Sequence, residues 1–453
     1  VLQEVQKMQN LKATINAWQD KLLTFSLVLV LLKKGSGTIG VPIPLLPDWL
    51  AYLFVGFVYI CVVIVSNKPS GKVDFKTILL LVILAMLIFR GTLNSSRPFP
   101  AVEYELLTAC ALVLISVCIS RLISRGFLGY LLDWCIKASF IVGLIGSIVG
   151  LRRIISGISD SSLFLDEGGA TSSLVADYNM SSLVILVGLI SGLSLFHQSK
   201  HSLVRLGYIP CLCVIAFAPL LSGSRRYVLF FGFSVILTIF YLLYYLVVNW
   251  RALSLNLKGA VSIVFIFLSI IPVVLGLAVA GNFDSTLSAN PNHPVTSIVR
   301  RYETLGQFKE TVKDSRGILL GRGLEIFDSK GFDEQLVGGG FDYLDKMSET
   351  ADDEYPHNPV VSAMLYSGLV GAIILCVFIF MPLFRIREIF RKSFWVGGSY
   401  LASLFFLIVS GNTYADVFEF PFYCLMARLV LWSEGNIRAV EPLGGSEIGS
   451  SPL

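Results

Sequence analysis

An all-α, polytopic membrane protein with about twelve transmembrane helices is the fold class this chain predicts, on three observations. Of its 453 residues, 55% are hydrophobic and only 15% charged, where soluble domains carry about 25% charged residues. The mean hydropathy is +0.75. Twelve apolar stretches approach the roughly 20 residues that a helix needs to cross a bilayer. The net charge of +4 excludes nothing by itself; its distribution along the chain carries the information.

In chain order, residues 1–21 are polar, with Lys7, Lys12 and Lys21, and lack the pattern of a signal peptide. They read as an amphipathic, cytoplasmic lead-in. The apolar stretches follow near 22–34, 49–66, 77–93, 104–120, 130–151, 179–196, 203–221, 227–248, 260–280, 358–384, 394–411 and 417–433. The first is short, and the last carries Glu419, Pro421 and Arg428. An even count places both termini on one side. The loops 67–76, 121–129, 197–205, 249–258 and 385–392 share that side and hold 13 Lys and Arg. The positive-inside rule makes it cytoplasmic. The chain then divides into spans one to nine (1–280), a large external loop (281–357), spans ten to twelve (358–434) and a tail (435–453). Residues 441–453, rich in Gly, Ser and Pro, read as disordered.

All eight cysteines fall inside apolar stretches, so no disulfide framework is expected. The chain has neither a GxGxxG nor a GxxxxGK[ST] phosphate loop, which argues against a nucleotide-driven enzyme. Neither a cofactor nor a nucleic-acid partner is expected.

Arginines on the external side break the charge rule. Arg90 and Arg97 bracket the loop after the third span, Arg152 and Arg153 close the fifth, Arg225 and Arg226 close the seventh, and Arg300 and Arg301 lie in the large loop. Any one doublet reads as snorkelling to headgroups. Four loops together read as a shared anion site, because guanidinium groups bind phosphate oxygens bidentately and stay charged. An anion met on that face, away from ATP, suggests a lipid-linked diphosphate. Ser222-Gly223-Ser224-Arg225-Arg226 forms a tight turn between two spans. Its small residues would let the backbone approach a phosphate at the next helix N-terminus; a plain interhelical turn is the other reading.

Within the large loop, Ile298, Tyr302, Leu305, Phe308 and Val312 recur at helical spacing. The pattern predicts an amphipathic surface helix over 296–313 that delivers Arg300 or Arg301. Gly317, Gly321 and Gly323 are expected to end it. From Glu325 to Glu354 there are ten acids against Lys330 and Lys346, with Gly338-Gly339-Gly340 among them. That composition predicts a solvated, flexible stretch without EF-hand spacing. His197 and His201 sit in a basic cytoplasmic loop with no third ligand nearby. His357, in Tyr355-Pro356-His357-Asn358-Pro359, lies where the loop enters the next span. It is a candidate general base, with a helix-cap role as the alternative.

Several motifs in this order resemble the O-antigen ligase and polymerase superfamily. They are Arg301-Tyr302, then Gly321-Arg322-Gly323-Leu324-Glu325-Ile326-Phe327, Pro356-His357-Asn358 and Ser367-Gly368-Leu369-Val370-Gly371. Ser222-Gly223-Ser224-Arg225 and Asp177-Tyr178-Asn179 also look like family features. The ordering covers roughly 150–380. The resemblance implies a membrane-embedded, GT-C-like, metal-independent inverting glycosyltransferase of the bacterial inner membrane, with cytoplasmic termini and a periplasmic active site. It would transfer a glycan from undecaprenyl diphosphate to a sugar hydroxyl. His357 matches the catalytic histidine, and Arg225 and Arg301 match diphosphate-binding arginines. Arg226, Arg300, Arg152 and Arg153 join the expected anion site, with Asn358, Ser224 and Arg97 in support. A polymerase, which joins lipid-linked repeat units, and a ligase, which moves the chain to lipid A core, are the competing activities. Expected partners are the lipid-linked donor, the glycan acceptor, membrane lipids and a chain-length regulator. From another class, a flippase for lipid-linked sugars would need charges through the bilayer interior, and here they collect at one face.

Overall fold

The computed structural model describes residues 2–39, 47–65, 72–96, 100–159, 178–199, 201–217, 232–233, 236, 308–349, 355–409, 411, 413–415 and 417–437. Among them every regular element is helical. In chain order these are α1 (Leu2–Thr38), α2 (Asp48–Val65), α3 (Phe75–Leu93), α4 (Pro100–Ser124), α5 (Leu128–Ser159), α6 (Tyr178–Gln198) and α7 (Ser202–Phe217). After the undescribed stretch come α8 (Phe308–Asp328), α9 (Phe332–Val337), α10 (Tyr343–Ser348), α11 (Pro359–Phe380), α12 (Ile386–Lys392), α13 (Phe394–Val409) and α14 (Glu419–Ile437).

Among the described residues, five helical segments are long and apolar enough to cross a membrane: Phe75–Leu93, Tyr104–Ser124, Leu128–Arg152, Ser181–Gln198 and Pro359–Lys392. Three shorter apolar helices accompany them, Trp49–Ile64, Leu203–Phe217 and Phe394–Ile408. The stretches expected at 227–248 and 260–280 lie outside the described residues, apart from 232–233 and 236. The lead-in and the first apolar stretch form one helix, α1, of 37 residues. At 1.5 Å per residue it is about 55 Å long and overruns a hydrocarbon core of about 30 Å.

Burial runs in the sense a bilayer demands. On α2 the residues Leu53, Phe57, Ile60 and Ile64 form an exposed apolar stripe, reaching 73% exposure at Ile64, while Ala51, Val55, Val58 and Val62 face the interior. On α3 the exposed stripe is Leu79, Met86, Phe89 and Leu93. Such faces would be unstable against water and are at rest against lipid. With no hydrophobic force between helices in lipid, small residues and interhelical hydrogen bonds hold the bundle. Gly143 of α5 meets Gly188 of α6, where a Cβ on either would lie 2.7 Å from the other's Cα. Trp395 Nε1 donates to Ser191 Oγ at 2.7 Å, Tyr400 Oη donates to the Ile379 carbonyl at 2.7 Å, and Ser139 and Tyr423 share a hydrogen bond of 3.1 Å.

Contacts sort the loops into two ends. At one, Arg125 pairs with Asp20 at 3.1 Å, the Asp74 N–H donates to Ser120 Oγ, Arg428 Nε donates to Thr77 Oγ1, and Lys392 Nζ donates to Ser433 Oγ. At the other, Ser95 and Ser96 bind Asp342, and Arg90 binds the 337–338 backbone. The described part of the loop 67–76 (residues 72–76) and the basic loops 121–129 and 385–392 thus gather at the first end.

Two expectations for the large loop are corrected. Gly317, Gly321 and Gly323 lie within α8 and do not end a helix. A glycine inside a helix costs about 1 kcal/mol relative to alanine. At position 323 the absence of a side chain is required, since a Cβ would lie 2.9 Å from Pro356 Cβ and 3.0 Å from Val361 Cγ1. The pattern over 296–307 lies outside the described residues. The acidic stretch, described to 349, is packed: Phe341, Tyr343, Leu344 and Met347 are buried, and Phe341 stacks on Tyr366 at 5.0 Å. The acids of α9 face outward while these apolar side chains face in.

The glycine run makes that packing feasible. Inside α11 the backbone breaks at Gly368, with φ 73 and ψ −177, a conformation reserved for glycine. The chain at 338–340 passes against this break. A Cβ at Gly338, where φ is +90, would lie 2.2 Å from the Tyr366 carbonyl oxygen, and one at Gly340 would lie 2.5 Å from the Gly91 carbonyl oxygen. Gly338→Ala should therefore lower stability by roughly 2–5 kcal/mol through strain and overpacking. Gly321→Ala, with open space around it, should raise stability by about 0.5–1 kcal/mol. Thermal unfolding of the detergent-solubilised protein followed by intrinsic fluorescence checks both, and equal shifts would contradict the close approach.

Candidate functional site

The site grows from the turn at Pro356-His357-Asn358-Pro359. Proline at 359 drives its predecessor to extended backbone, and Asn358 has φ −148 and ψ 111. From there Asn358 Oδ1 accepts the N–H groups of Val360 at 3.0 Å and Val361 at 3.1 Å. With Pro359 in the first turn, α11 begins with two of its orphan donors satisfied.

Asn358 therefore does the capping, which removes the helix-cap reading of His357. His357 makes the reversal: its φ of 48 is the only positive value at a non-glycine residue among the described residues. Left-handed backbone costs an L-residue roughly 1–2 kcal/mol, so the surroundings must enforce it. They do so on both sides. Pro356 is buried against Gly323 of α8, and the Pro359 ring lies 2.9 Å from where a Cβ on Gly411 would stand. The imidazole between these clamps is half-buried.

Further along α11, the break frees backbone carbonyls, and a half-buried amine takes one of them. Lys330 Nζ donates to the Leu365 carbonyl at 2.6 Å, and the Gly339 N–H points to the same oxygen at 3.4 Å. Burial pulls Lys330 down from 10.5 to about 8, opposed by Glu334 and reinforced by Lys346. Arg90 Nη1 donates to the Val337 carbonyl at 3.0 Å and, more weakly, to that of Gly338 at 3.5 Å. Arg90 is one of the arginines expected on the external side, and its guanidinium secures the loop that packs on the break. Asp342 completes the attachment: Oδ1 accepts the Ser96 N–H at 2.8 Å and the Ser95 and Ser96 hydroxyls at 2.9 and 3.0 Å. Burial opposes its ionisation, and these hydrogen bonds, with Lys346, outweigh that and hold it below the usual carboxylate range.

The structure thus brings together two of the sequence motifs, the 321–327 segment on α8 and the His357-Asn358 turn, through Gly323 and Pro356. The 367–371 segment forms the break itself. Arg152 is exposed on α5, about 36 Å along the helix axis from its start near Arg125. Arg153 follows it on the same helix backbone. Arg97, Ser224, Arg225, Arg226, Arg300 and Arg301 lie outside the described residues, as does Asp177. Sequence reasoning missed the roles of Lys330 and Arg90. Their targets are main-chain carbonyls, which leave no signature in the sequence beyond the glycine run that admits them.

No protein-family model matches this chain, and no curated protein matches it either.

Lys330 makes stability pH-dependent. Between pH 8 and 10.5 the unfolded chain carries a proton that the folded protein lacks, so unfolding takes one up and stability rises with pH. Below pH 8 both states are charged and this contribution is flat. The melting temperature of wild type relative to Lys330→Met should therefore be higher at pH 10 than at pH 8. A gap independent of pH would contradict a partly desolvated amine at Lys330. At the turn, His357→Gly should keep or raise the melting temperature, whereas the β-branched His357→Ile should lower it by the equivalent of about 1–2 kcal/mol. Equal melting temperatures would mean that the left-handed turn is not enforced.

Proposed function

We propose that this protein is a membrane-embedded, GT-C-like glycosyltransferase of the bacterial inner membrane. It moves a glycan from undecaprenyl diphosphate to a sugar hydroxyl at the periplasmic face and acts as a surface-polysaccharide polymerase. The observation that carries this reading is the His357 turn. The half-buried His357 holds a left-handed backbone between two prolines packed on neighbouring elements, while Asn358 performs the capping. Strain of this kind clusters where side-chain direction matters to chemistry.

The acceptor hydroxyl gives its proton to His357 as its oxygen attacks the anomeric carbon of the donor. The bond from that carbon to the diphosphate oxygen breaks, and the electron pair leaves with the lipid diphosphate. A single displacement inverts the anomeric centre. Arg225, Arg226, Arg300 and Arg301, with Arg152 and Arg153, receive the charge that grows on the leaving group; guanidinium groups hold it in a site shielded from water. Asn358 fixes the start of α11 and hence the position of the base beside it, while Ser224 and Arg97 support the anion site. Collection of the basic loops at the opposite end of the bundle accords with cytoplasmic termini and a periplasmic His357.

His357→Ala should lower turnover by about 10²–10⁴-fold with folding and membrane insertion intact, because base catalysis contributes that much. The paired change Arg225→Ala and Arg226→Ala should raise the donor KM about tenfold or more, in line with loss of charge-assisted hydrogen bonds. Assay of the purified variants with a synthetic undecaprenyl-diphosphate oligosaccharide reads both. Full turnover in His357→Ala removes the base, and an unchanged donor KM in the paired variant removes the anion site. In a deletion strain, surface lipid capped with single repeats marks a polymerase, and complete loss of the glycan from lipid A marks a ligase.

A further inference from the structure

At the end of the bundle opposite His357 lies a cavity of about 1040 Å³. It is formed where α3 begins, where α11 passes through a short turn of 3-10 helix (Met381–Arg385) into α12, and beside α14. The cavity is separate from the His357 turn. Helices α3 and α11 run antiparallel, with Gly91 against Tyr366 at one end and Thr77 and Met381 together here. The 22 residues of α11 place the two ends about 33 Å apart.

Its wall carries Lys76, Arg385, Arg391 and Arg428 against Asp74 and Glu388. Both carboxylates have partners: Asp74 accepts the Thr77 hydroxyl at 2.6 Å, and Glu388 pairs with Arg385. Arg428 is the central feature. Only 8% of it is exposed, Nε donates to Thr77 Oγ1 at 3.1 Å, Nη1 donates to the Val377 carbonyl at 3.1 Å, and the Phe378 ring lies 5.8 Å away. Its Nη2 has no hydrogen bond among the described residues. A buried guanidinium held by bonds to Thr77 and Val377 and a weaker one from Nη1 to Met381 Sδ at 3.8 Å, with Nη2 to spare on a cavity wall, is a preorganised anion receptor. The rest of the wall is greasy: Phe75, Met381, Phe384 and Trp432 line it, and Phe384 is 88% exposed. A free ion needs no apolar wall, and a hydrocarbon ligand needs no buried arginine.

We propose that this cavity binds an anionic phospholipid, with the phosphate on Arg428 and the rim cations Lys76 and Arg391, and the first part of the acyl chains along Phe75, Met381 and Phe384. The volume accommodates a headgroup with the start of its chains, as it is at the upper end of small-molecule pockets. Basic pockets between spans on the cytoplasmic side are where such headgroups lodge.

The test is native mass spectrometry of the full-length protein in detergent, offered dioctanoyl phosphatidylglycerol, dioctanoyl phosphatidylcholine or glycerol phosphate. Phosphatidylglycerol should be retained over phosphatidylcholine, and glycerol phosphate should be lost. The variant Lys76→Gln with Arg391→Gln changes only rim residues and should weaken phosphatidylglycerol retention on the order of tenfold, as each lost cation near an anionic headgroup weakens binding. Arg428→Gln should weaken it further; because Arg428 also ties α14 to α3, the rim variant decides if Arg428→Gln fails to fold. Equal retention of the two lipids, or unaltered retention in the rim variant, overturns the proposal. Retention of glycerol phosphate as strong as that of the lipid overturns the lipid source and leaves a free-phosphate site.

Discussion

The break in α11 at Gly368 is the constraint from which the end of the molecule that carries the candidate site follows. A helix in a membrane satisfies its own backbone, and any interruption leaves carbonyls that lipid cannot serve. Here the interruption is answered by protein. Lys330 donates to Leu365, the 338–340 backbone lies against Tyr366 and Gly91, and Arg90 holds the carbonyls of that backbone in turn. Each contact needs the others, since the loop reaches the break only because four glycines and Gly91 leave no side chains in the way. The segment after α8 is thereby fixed to the spanning helices.

That attachment sets the position of α8, and α8 sets the His357 turn. Gly323 faces Pro356 and Val361 at distances that no larger residue allows, so α8 bears directly on the turn. Asn358 and Pro359 fix the turn from the other side by starting α11. Between a capped helix and a packed one, the backbone at His357 has no relaxed alternative, and φ 48 is the result. For the base proposed at His357, a backbone imposed from two sides would leave little to reorganise when substrate arrives, as in preorganised sites.

The helical membrane class was legible in the sequence because it rests on local composition: long apolar runs and scarce charge are visible without any contact. The start of α11 at Pro359 was legible for a similar reason, since Asn-Pro before an apolar run is a local signal, but the cap falls on Asn358 and not on His357, where the sequence allowed it. The state of residues 325–349 was not. Ten acids suggested a solvated loop, while Phe341, Tyr343, Leu344 and Met347 were the contrary signal, four large apolar residues in seven positions. Nor was the break at Gly368 legible, because glycine is common in membrane helices and its φ is decided by partners thirty residues away. Lys330 and Arg90 act on main-chain oxygens, and the sequence carries no record of which oxygens a helix break sets free. The arginines proposed to bind diphosphate, in the loops after the seventh and ninth expected spans, rest on the sequence pattern alone.

The central claim is that His357 serves a transfer reaction whose leaving group is a lipid diphosphate. The most direct measurement reconstitutes the protein in liposomes with a radiolabelled undecaprenyl-diphosphate oligosaccharide and follows both products together. The account predicts one undecaprenyl diphosphate released for each glycosidic bond formed, an inverted anomeric centre, and loss of both signals in His357→Ala. Movement of intact donor between leaflets without release of the diphosphate, or release undiminished in His357→Ala, would contradict it.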